Sequence, residues 1–250
     1  DKKRLRKAAI SIGGGGTVVD RLTPAYKQPF VRGMEYASVR NNGDLETLRR
    51  YGVRSDYFPD IVWQTANRFP VERASRGAMR IGIDLYFRGL IQHGGLDALF
   101  DLHGLARERK EVEFILMDNT SSRRRSYRGL GRAIRGGNCH IYQFHDIVED
   151  LRMIASLDLL VSSRLHTLMV ALGYGVPAIS FAAEGKTRLL LREIGRADLS
   201  YGRGRLDEMI SMLKDKDRLD EFVQGFQFDF ADELRRLSRG HQERLLELLA

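Results

Sequence analysis

The densest chemistry in this sequence is the run Leu159-Leu160-Val161-Ser162-Ser163-Arg164-Leu165-His166-Thr167, followed by Gly175-Val176-Pro177-Ala178-Ile179. An apolar, strand-like stretch delivers two small polar residues, then an arginine and a histidine two positions apart where a helix should begin. Backbone N–H groups at a helix N-terminus favour an anion, and a guanidinium adds bidentate phosphate recognition. A histidine side chain, with a reference pKa of ~6.5, can give or take a proton near neutrality. Arg164 and His166 are therefore the candidate catalytic pair, with Ser163 as a candidate substrate-binding neighbour. The plainer alternative is a capped helix with Arg164 in a salt bridge and His166 packed on a neighbour.

Other positions carry weaker signals. Arg40 follows the apolar run Tyr36–Val39 and either binds an anion or sits in a surface ion pair. Lys186, in Glu184-Gly185-Lys186, comes shortly after the run Ala178–Phe181 and is a candidate phosphate contact. Gly13 to Gly16 would let the backbone approach a ligand closely. Gly14 and Gly15 are thus candidate substrate-lining residues, with a plain tight turn as the alternative. The run is no G-x-G-x-x-G, and no Gly-Lys-Ser/Thr follows. Asp60 reads as a turn residue. Cys139, His140 and His145 are close in sequence, but a strand sends adjacent side chains to opposite faces and a fourth ligand is lacking, so no metal site is expected. His93 and His103 lie in a helical stretch and read as surface or packing residues. No Gly-x-Ser-x-Gly hydrolase signature is present.

The elements that must position these residues follow a β-α rhythm, apolar runs alternating with longer amphipathic stretches, as on a parallel sheet. Strands are expected at 8–12, 36–39, 80–85, 113–117, 140–143, 157–161 and 178–181. Helices are expected at 44–51, 91–109, 145–155, 165–172 and 187–194, with Gly52 closing the first. The tail 206–250 is helical by pattern, and Leu234, Leu237, Leu245, Leu246 and Leu249 give it an apolar docking face. Ligands of such sheets sit beyond the carboxyl ends of the strands, which is where Arg40, Arg164 and Lys186 fall. The polar stretch Phe69–Arg76, with Pro70, reads as a linker. No internal sequence repeat is evident.

Composition sets the outer bounds. Lys plus Arg number 41 against 33 Asp plus Glu, a formal charge of +8, which favours anionic partners or simply a basic soluble surface. With one cysteine no intramolecular disulfide can form. No apolar run approaches the roughly 20 residues that span a bilayer, and no signal-peptide core follows the basic start. The cytoplasm is the default compartment. The run Arg123 to Arg128 has only Tyr127 for stacking, so it reads as a solvated loop and no nucleic-acid partner is expected.

Together these motifs resemble the polysaccharide pyruvyl transferase family. In that family an early strand ends in Ser-x-Arg and a Pro-Asp follows. Later a strand leads into Arg-Leu-His, a helix ends in Gly-Val-Pro, and a lysine comes shortly after the next strand. Here the order is Ala37-Ser38-Val39-Arg40, Phe58-Pro59-Asp60, Ser163-Arg164-Leu165-His166, Gly175-Val176-Pro177 and Glu184-Gly185-Lys186, so the likeness covers most of residues 8 to 195. Two departures stand out. Asn41 occupies the place where the family usually has Asp, with Asp44 as a candidate cap for the next helix. The family's amino-terminal half is missing and the chain lacks an initiator Met, so residues are expected upstream.

The resemblance implies an α/β, GT-B-like fold. A doubly wound, Rossmann-like parallel sheet domain with a helical tail would occupy 73–250, preceded at 1–72 by the C-terminal part of a second Rossmann-like domain. It implies transfer of a pyruvyl group from phosphoenolpyruvate to a saccharide as a ketal, in exopolysaccharide or cell-surface glycan biosynthesis. Arg164, Arg40 and Lys186 would hold phosphate and carboxylate, and His166 would move protons; no cofactor or metal is called for. A lipid-linked acceptor would bring peripheral membrane association at the cytoplasmic face. The chief rival is a GT-B glycosyltransferase using a nucleotide-sugar donor, which shares the Gly-Val-Pro element. Against it, no suitably spaced carboxylate pair lies near that strand to hold a donor ribose. The second rival is a basic nucleic-acid or partner-binding module centred on Arg123–Arg128.

Overall fold

The computed structural model describes residues 8–12, 33–72, 77–84, 104–105, 108–118, 138–181 and 185–249. In chain order its principal elements are β1 (Ala8–Ile12), β2 (Tyr36–Val39), α1 (Asn42–Arg50), β3 (Arg54–Tyr57), β4 (Met79–Asp84), β5 (Val112–Asp118), β6 (Cys139–Gln143), α2 (Ile147–Ala155), β7 (Leu159–Ser162), α3 (Leu165–Gly173), β8 (Ala178–Phe181), α4 (Gly185–Glu193), β9 (Ser200–Tyr201), α5 (Leu206–Lys214), α6 (Lys216–Gln224), α7 (Ala231–Ser238) and α8 (Gly240–Leu249). A 3-10 turn at Ile61–Gln64 and a single helical turn at Thr65–Arg68 follow β3. The chain forms two units, one from the described parts of Asp1–Thr65 with Asp229–Ala250, the other from those of Ala66–Phe228.

In the smaller unit β1, β2 and β3 form a parallel sheet in that order. β2 is buried at every position, as a central strand of a parallel sheet must be. Ala37, Val39, Leu48 and Val53 form its core, with Met34, Leu45, Tyr51 and Tyr57 packed against them. α1 starts where the Asn41 side chain accepts the Asp44 N–H at 2.8 Å. It stops at Gly52, whose φ of 74° few other residues tolerate. There the Gly52 N–H reaches Arg49 O at 2.9 Å and Val53 N–H reaches Leu48 O at 3.1 Å, the paired bonds of a Schellman motif.

The larger unit is a six-stranded parallel sheet ordered β6-β5-β4-β7-β8-β9. The chain begins at the centre on β4, winds outward through β5 and β6, then returns to β7 and winds the other way. The point of reversal, between β4 and β7, is where doubly wound sheets open a crevice beyond the carboxyl ends of their strands. Ile81, Ile83, Phe114, Leu159, Leu160, Val161, Ala178 and Ile179 bury the sheet. α3 lays Leu168, Met169, Ala171 and Leu172 on it. Gly82 is closely packed: a Cβ there would lie 2.4 Å from Leu157 Cδ1, so the buried Leu157 side chain would have to shift. α3 ends on a second Schellman motif, with Gly175 N–H to Leu172 O at 3.0 Å and Val176 N–H to Ala171 O at 2.9 Å. Pro177 O then accepts the Leu160 N–H at 2.8 Å and starts the β7–β8 ladder. The Gly-Val-Pro element is thus a helix stop and strand start.

Two sequence expectations meet differences here. The sequence places the whole helical tail in a domain spanning 73–250, whereas Asp229–Ala250 groups with the smaller unit and the units divide after Thr65. Hydrogen bonds tie the tail to that unit: Gln64 Nε2 donates to Ser238 Oγ at 2.6 Å, and Arg244 Nε donates to Asp56 Oδ2 at 3.1 Å. Of the leucines expected to dock the tail, Leu234 and Leu245 are half-buried. Leu237, Leu246 and Leu249 are 37%, 67% and 74% exposed. Gly13–Gly16, including Gly14 and Gly15, lies outside the described residues, as do Arg123–Arg128, His93 and His103. Among the described residues no helix is long and apolar enough to cross a membrane.

Candidate functional site

The carboxyl ends of β4 and β7 are closed by Asp84 and Ser162, which are register partners. Ser162 pairs in turn with Ser180, and Ser180 with Ser200. Partners in adjacent parallel strands share a face, so a polar row runs from the switch point across four strands. Asp84, Ser162 and Ser180 are completely buried. The Ser180 hydroxyl has no hydrogen-bond partner among the described residues.

Arg164 sits on this row. Its Nε lies 3.0 Å from Asp84 Oδ1, with the arginine side chain 21% exposed and the carboxylate fully buried. Its backbone is fixed as well, since Arg164 N–H donates to Ser162 Oγ at 3.0 Å. The neighbouring Ser163 N–H donates to Asp84 O at 2.9 Å. The salt bridge weighed as the plainer alternative for Arg164 therefore exists, but its partner is a buried acid at the switch point. A guanidinium carries five donors in a fixed fork, and anchoring the Nε edge orients the rest.

Arg164 is also the N-cap of α3. It has an extended backbone and no side-chain capping bond, and no acidic residue occupies the first turn. The first N–H groups of a helix lack intrahelical acceptors and carry the positive end of its dipole. His166, second in α3, is exposed. Lys186 is second in α4, exposed, on the helix that follows β8. Ser163, Arg164 and His166 are thus brought together by the β7–α3 junction, and Lys186 follows the adjacent strand.

Arg40 belongs to the smaller unit. Its guanidinium is ion-paired to Asp60, so the alternative weighed for it is also realised. Asp60 is nearly buried and uses its other oxygen, Oδ1, to accept the Val62 N–H at 3.1 Å, capping the 3-10 turn. It is the turn residue expected and an ion-pair partner besides. The cap expected of Asp44 is supplied by Asn41; Asp44 lies in the first turn, buried beside the Asn41 amide. Ser38 Oγ faces His241 Nδ1 at 2.6 Å, and His241 Nε2 faces Pro59 O at 3.0 Å.

Sequence reading missed Asp84, Ser162 and His241. Asp84 had a signal, an acid closing the apolar run Ile81-Gly82-Ile83. His241 had none. Cys139 and His140 fall on opposite faces of β6, half-buried and exposed respectively. Burial pushes the Cys139 thiol up to about 11, which leaves little thiolate to act as a nucleophile. Among the described residues no three His, Cys, Asp or Glu side chains gather in a metal-binding group.

Comparison with known proteins agrees on fold and family. The chain has a TM-score of 0.63 and 12% identity with UDP-GlcNAc 2-epimerase from Neisseria meningitidis, covering 95% of this chain and 68% of that one. A protein described as a UDP-N-acetylglucosamine 2-epimerase from Listeria monocytogenes gives 0.62 and 14%, covering 91% and 66%. The α,α-trehalose-phosphate synthase (UDP-forming) from Burkholderia xenovorans gives 0.56 and 11%, covering 99% and 68%. The chain therefore spans about two thirds of these structures. No curated protein matches the sequence. The likeness defines the class: an α/β protein with Rossmann-like parallel sheets of the GT-B kind. The family model described as polysaccharide pyruvyl transferase matches residues 2–184, and the chain belongs to that family.

Proposed function

We propose that the chain transfers the enolpyruvyl carbons of phosphoenolpyruvate to two hydroxyls of a sugar, forming a cyclic ketal and releasing phosphate. The observation that carries this reading is the β7–α3 junction. There Arg164, anchored on buried Asp84, is followed directly by a helix with no side-chain cap and by an exposed His166. A guanidinium at a helix N-terminus suits the donor's phosphate and carboxylate. Lys186, exposed on the helix after the neighbouring strand, is assigned a supporting contact to phosphate, and Ser163 a contact to the donor.

Chemically, the donor's methylene carbon gains a proton and C2 acquires oxocarbenium character. A sugar hydroxyl adds to C2 and loses its proton. The C2–O bond to phosphate then breaks, its electron pair leaving with the phosphate. A second hydroxyl closes the ring and loses its proton, so one of the two released protons balances the first step and the other leaves with the products. His166 is assigned the proton transfers, an effect typically worth ~10²–10⁴ in rate. Arg164 stabilises charge on the departing phosphate, as preorganised donors do. The acceptor is a saccharide; a lipid-linked one would bring the protein to the cytoplasmic membrane surface.

The test is phosphate release from phosphoenolpyruvate with a panel of acceptor glycans, comparing wild type with His166→Ala and Arg164→Ala. Acceptor-dependent release that collapses in both variants supports the reading. Turnover of a nucleotide sugar, with no phosphoenolpyruvate dependence, would replace it with glycosyl transfer.

A further inference from the structure

We infer that His241, on the C-terminal helix, is a positioning residue that clamps the ends of β2 and β3 and so sets the Arg40–Asp60 pair. The imidazole is fully buried, and both nitrogens are engaged from one side of the molecule's smaller unit. Nε2 faces a carbonyl, Pro59 O, at 3.0 Å, and a carbonyl can only accept, so Nε2 carries the proton. Nδ1 is then the acceptor, and the Ser38 hydroxyl donates to it at 2.6 Å. One ring thus ties a residue two before Arg40 to the residue immediately before Asp60.

The seat is shaped for this contact. The Phe58 ring meets the imidazole edge-on, with centroids 5.3 Å apart at 72°. Gly240 allows the approach: a Cβ there would lie 2.2 Å from Phe58 Cε1. The ion pair itself reads its geometry from the clamped backbone. Asp60 Oδ1 is committed to Val62 N–H, and Oδ2 faces Arg40. If Pro59 moves, the carboxylate turns with it and the guanidinium loses its fixed orientation. A second tie between this helix and the sheet, Arg244 Nε to Asp56 Oδ2 at 3.1 Å, lies on β3 away from the pair. The tie to substrate rests on the proposed function together with the donor contact that the family resemblance implies for Arg40.

The experiment uses the full chain and two readouts, one of them independent of catalysis. Side-chain 15N–1H spectra, with the Arg40 signal assigned by Arg40→Lys, report the ion pair directly. Kinetics report the Michaelis constant for phosphoenolpyruvate separately from kcat. His241→Ala should displace or broaden the Arg40 signal and raise that Michaelis constant about 10-fold with a smaller change in kcat. Ser38→Ala, which leaves the helix seated, should do the same more weakly. His241→Gln, with both a donor and an acceptor, should restore the signal and bring the constant to within about threefold of wild type. Arg244→Ala should change neither. An Arg40 signal unaltered in both His241→Ala and Ser38→Ala would overturn the inference, as would an equal disturbance from Arg244→Ala. If wild type shows no phosphoenolpyruvate turnover, the functional reading falls while the spectra still decide the clamp.

Discussion

The two units repeat one local plan. In the smaller, Ser38-Val39-Arg40 leaves β2, a nine-residue helix follows, and Gly52-Val53 leads into β3. In the larger, Ser162-Ser163-Arg164 leaves β7, a nine-residue helix follows, and Gly175-Val176 leads toward β8. Both serines are fully buried, and each arginine, 23% and 21% exposed, pairs with a buried aspartate: Asp60, just past β3, for Arg40, and Asp84, at the end of the neighbouring β4, for Arg164. They differ at the helix start. α1 is closed by Asn41 and carries Asp44 in its first turn, whereas α3 has neither a side-chain cap nor an acid. An anion at α1 would meet a carboxylate; one at α3 would meet a helix N-terminus with no acid in its first turn, beside Arg164. The serines diverge too: Ser162 folds back onto Arg164 N, while Ser38 is given to His241. On the proposed function, one plan thus yields an anion seat in the larger unit and, in the smaller, a single oriented guanidinium.

The largest expected effect tests that asymmetry. Arg164→Ala should lower kcat/KM for phosphoenolpyruvate by ~10²–10³, the scale of removing one preorganised donor at a reacting group. Arg40→Ala should cost only about 10-fold, since it supplies one side chain and no helix terminus. Phosphate-release kinetics on both variants decide it. Equal losses would mean that the helix start contributes nothing.

Next comes the buried acid in each pair. Asp84→Asn leaves the Arg164 charge facing an amide in a fully buried position, and breaking such a pair costs about 3 kcal/mol. Asp60→Asn keeps the Oδ1 bond to Val62 and should cost about half as much. Trp63, the one tryptophan and fully buried, lies in the smaller unit, so its fluorescence follows that unit during urea unfolding. Circular dichroism follows both. A two-unit chain need not unfold in one step, and the separate probes allow for that. If Asp60→Asn proves the more destabilising, the ranking of the two pairs is reversed.

Much of this plan was legible in the sequence where it is local. β2 and β8 were read with their observed boundaries because short apolar runs bounded by polar residues leave little choice. Gly52 and the Gly-Val-Pro element marked helix ends because positive φ selects glycine. What stayed hidden depends on distant partners. Asp84 acquires its meaning from Ser162, 78 residues later, and His241 from Ser38, 203 residues earlier. β9, only two residues long, exists because β8 offers it an edge. Of the tail's leucine stripe, Leu234 and Leu245 are half-buried while Leu237, Leu246 and Leu249 are exposed, and Ser238 and His241 add polar ties that a hydrophobic pattern cannot anticipate. The proposed pairing of Arg164 with His166 rests on adjacency at one junction, which is why the sequence could suggest it.

The units should also part in their response to acid. Burial lowers the His241 pKa from its ordinary 6.5, with Asp60 pulling it up and Arg40 pushing it down. The folded smaller unit therefore holds the ring neutral where the unfolded chain would take up a proton. This contribution is intact above about pH 6.5 and is lost as pH falls below it, down to the folded pKa, at up to ~1.4 kcal/mol per unit. Trp63 fluorescence should show urea midpoints falling from pH 7 to pH 5.5, and His241→Gln should flatten that slope. A slope unchanged by the substitution would assign the acid sensitivity elsewhere.

The smallest effect probes the closed helix start. Asn41→Ala removes the cap on α1 and should cost ~1 kcal/mol, the usual worth of such a side chain. Asn41→Ser should recover most of it. Neither change touches the β7–α3 junction, so the affinity of the full chain for inorganic phosphate, read by calorimetry, should stay at the wild-type value. If uncapping α1 creates a second phosphate site, then the two junctions differ only in their caps, and Asn41 with Asp44 is what reserves anion binding for the larger unit. If no site appears, the arginine's surroundings matter as well. Asp84 with Ser162 would then be the part of the plan that turns a helix start into a seat.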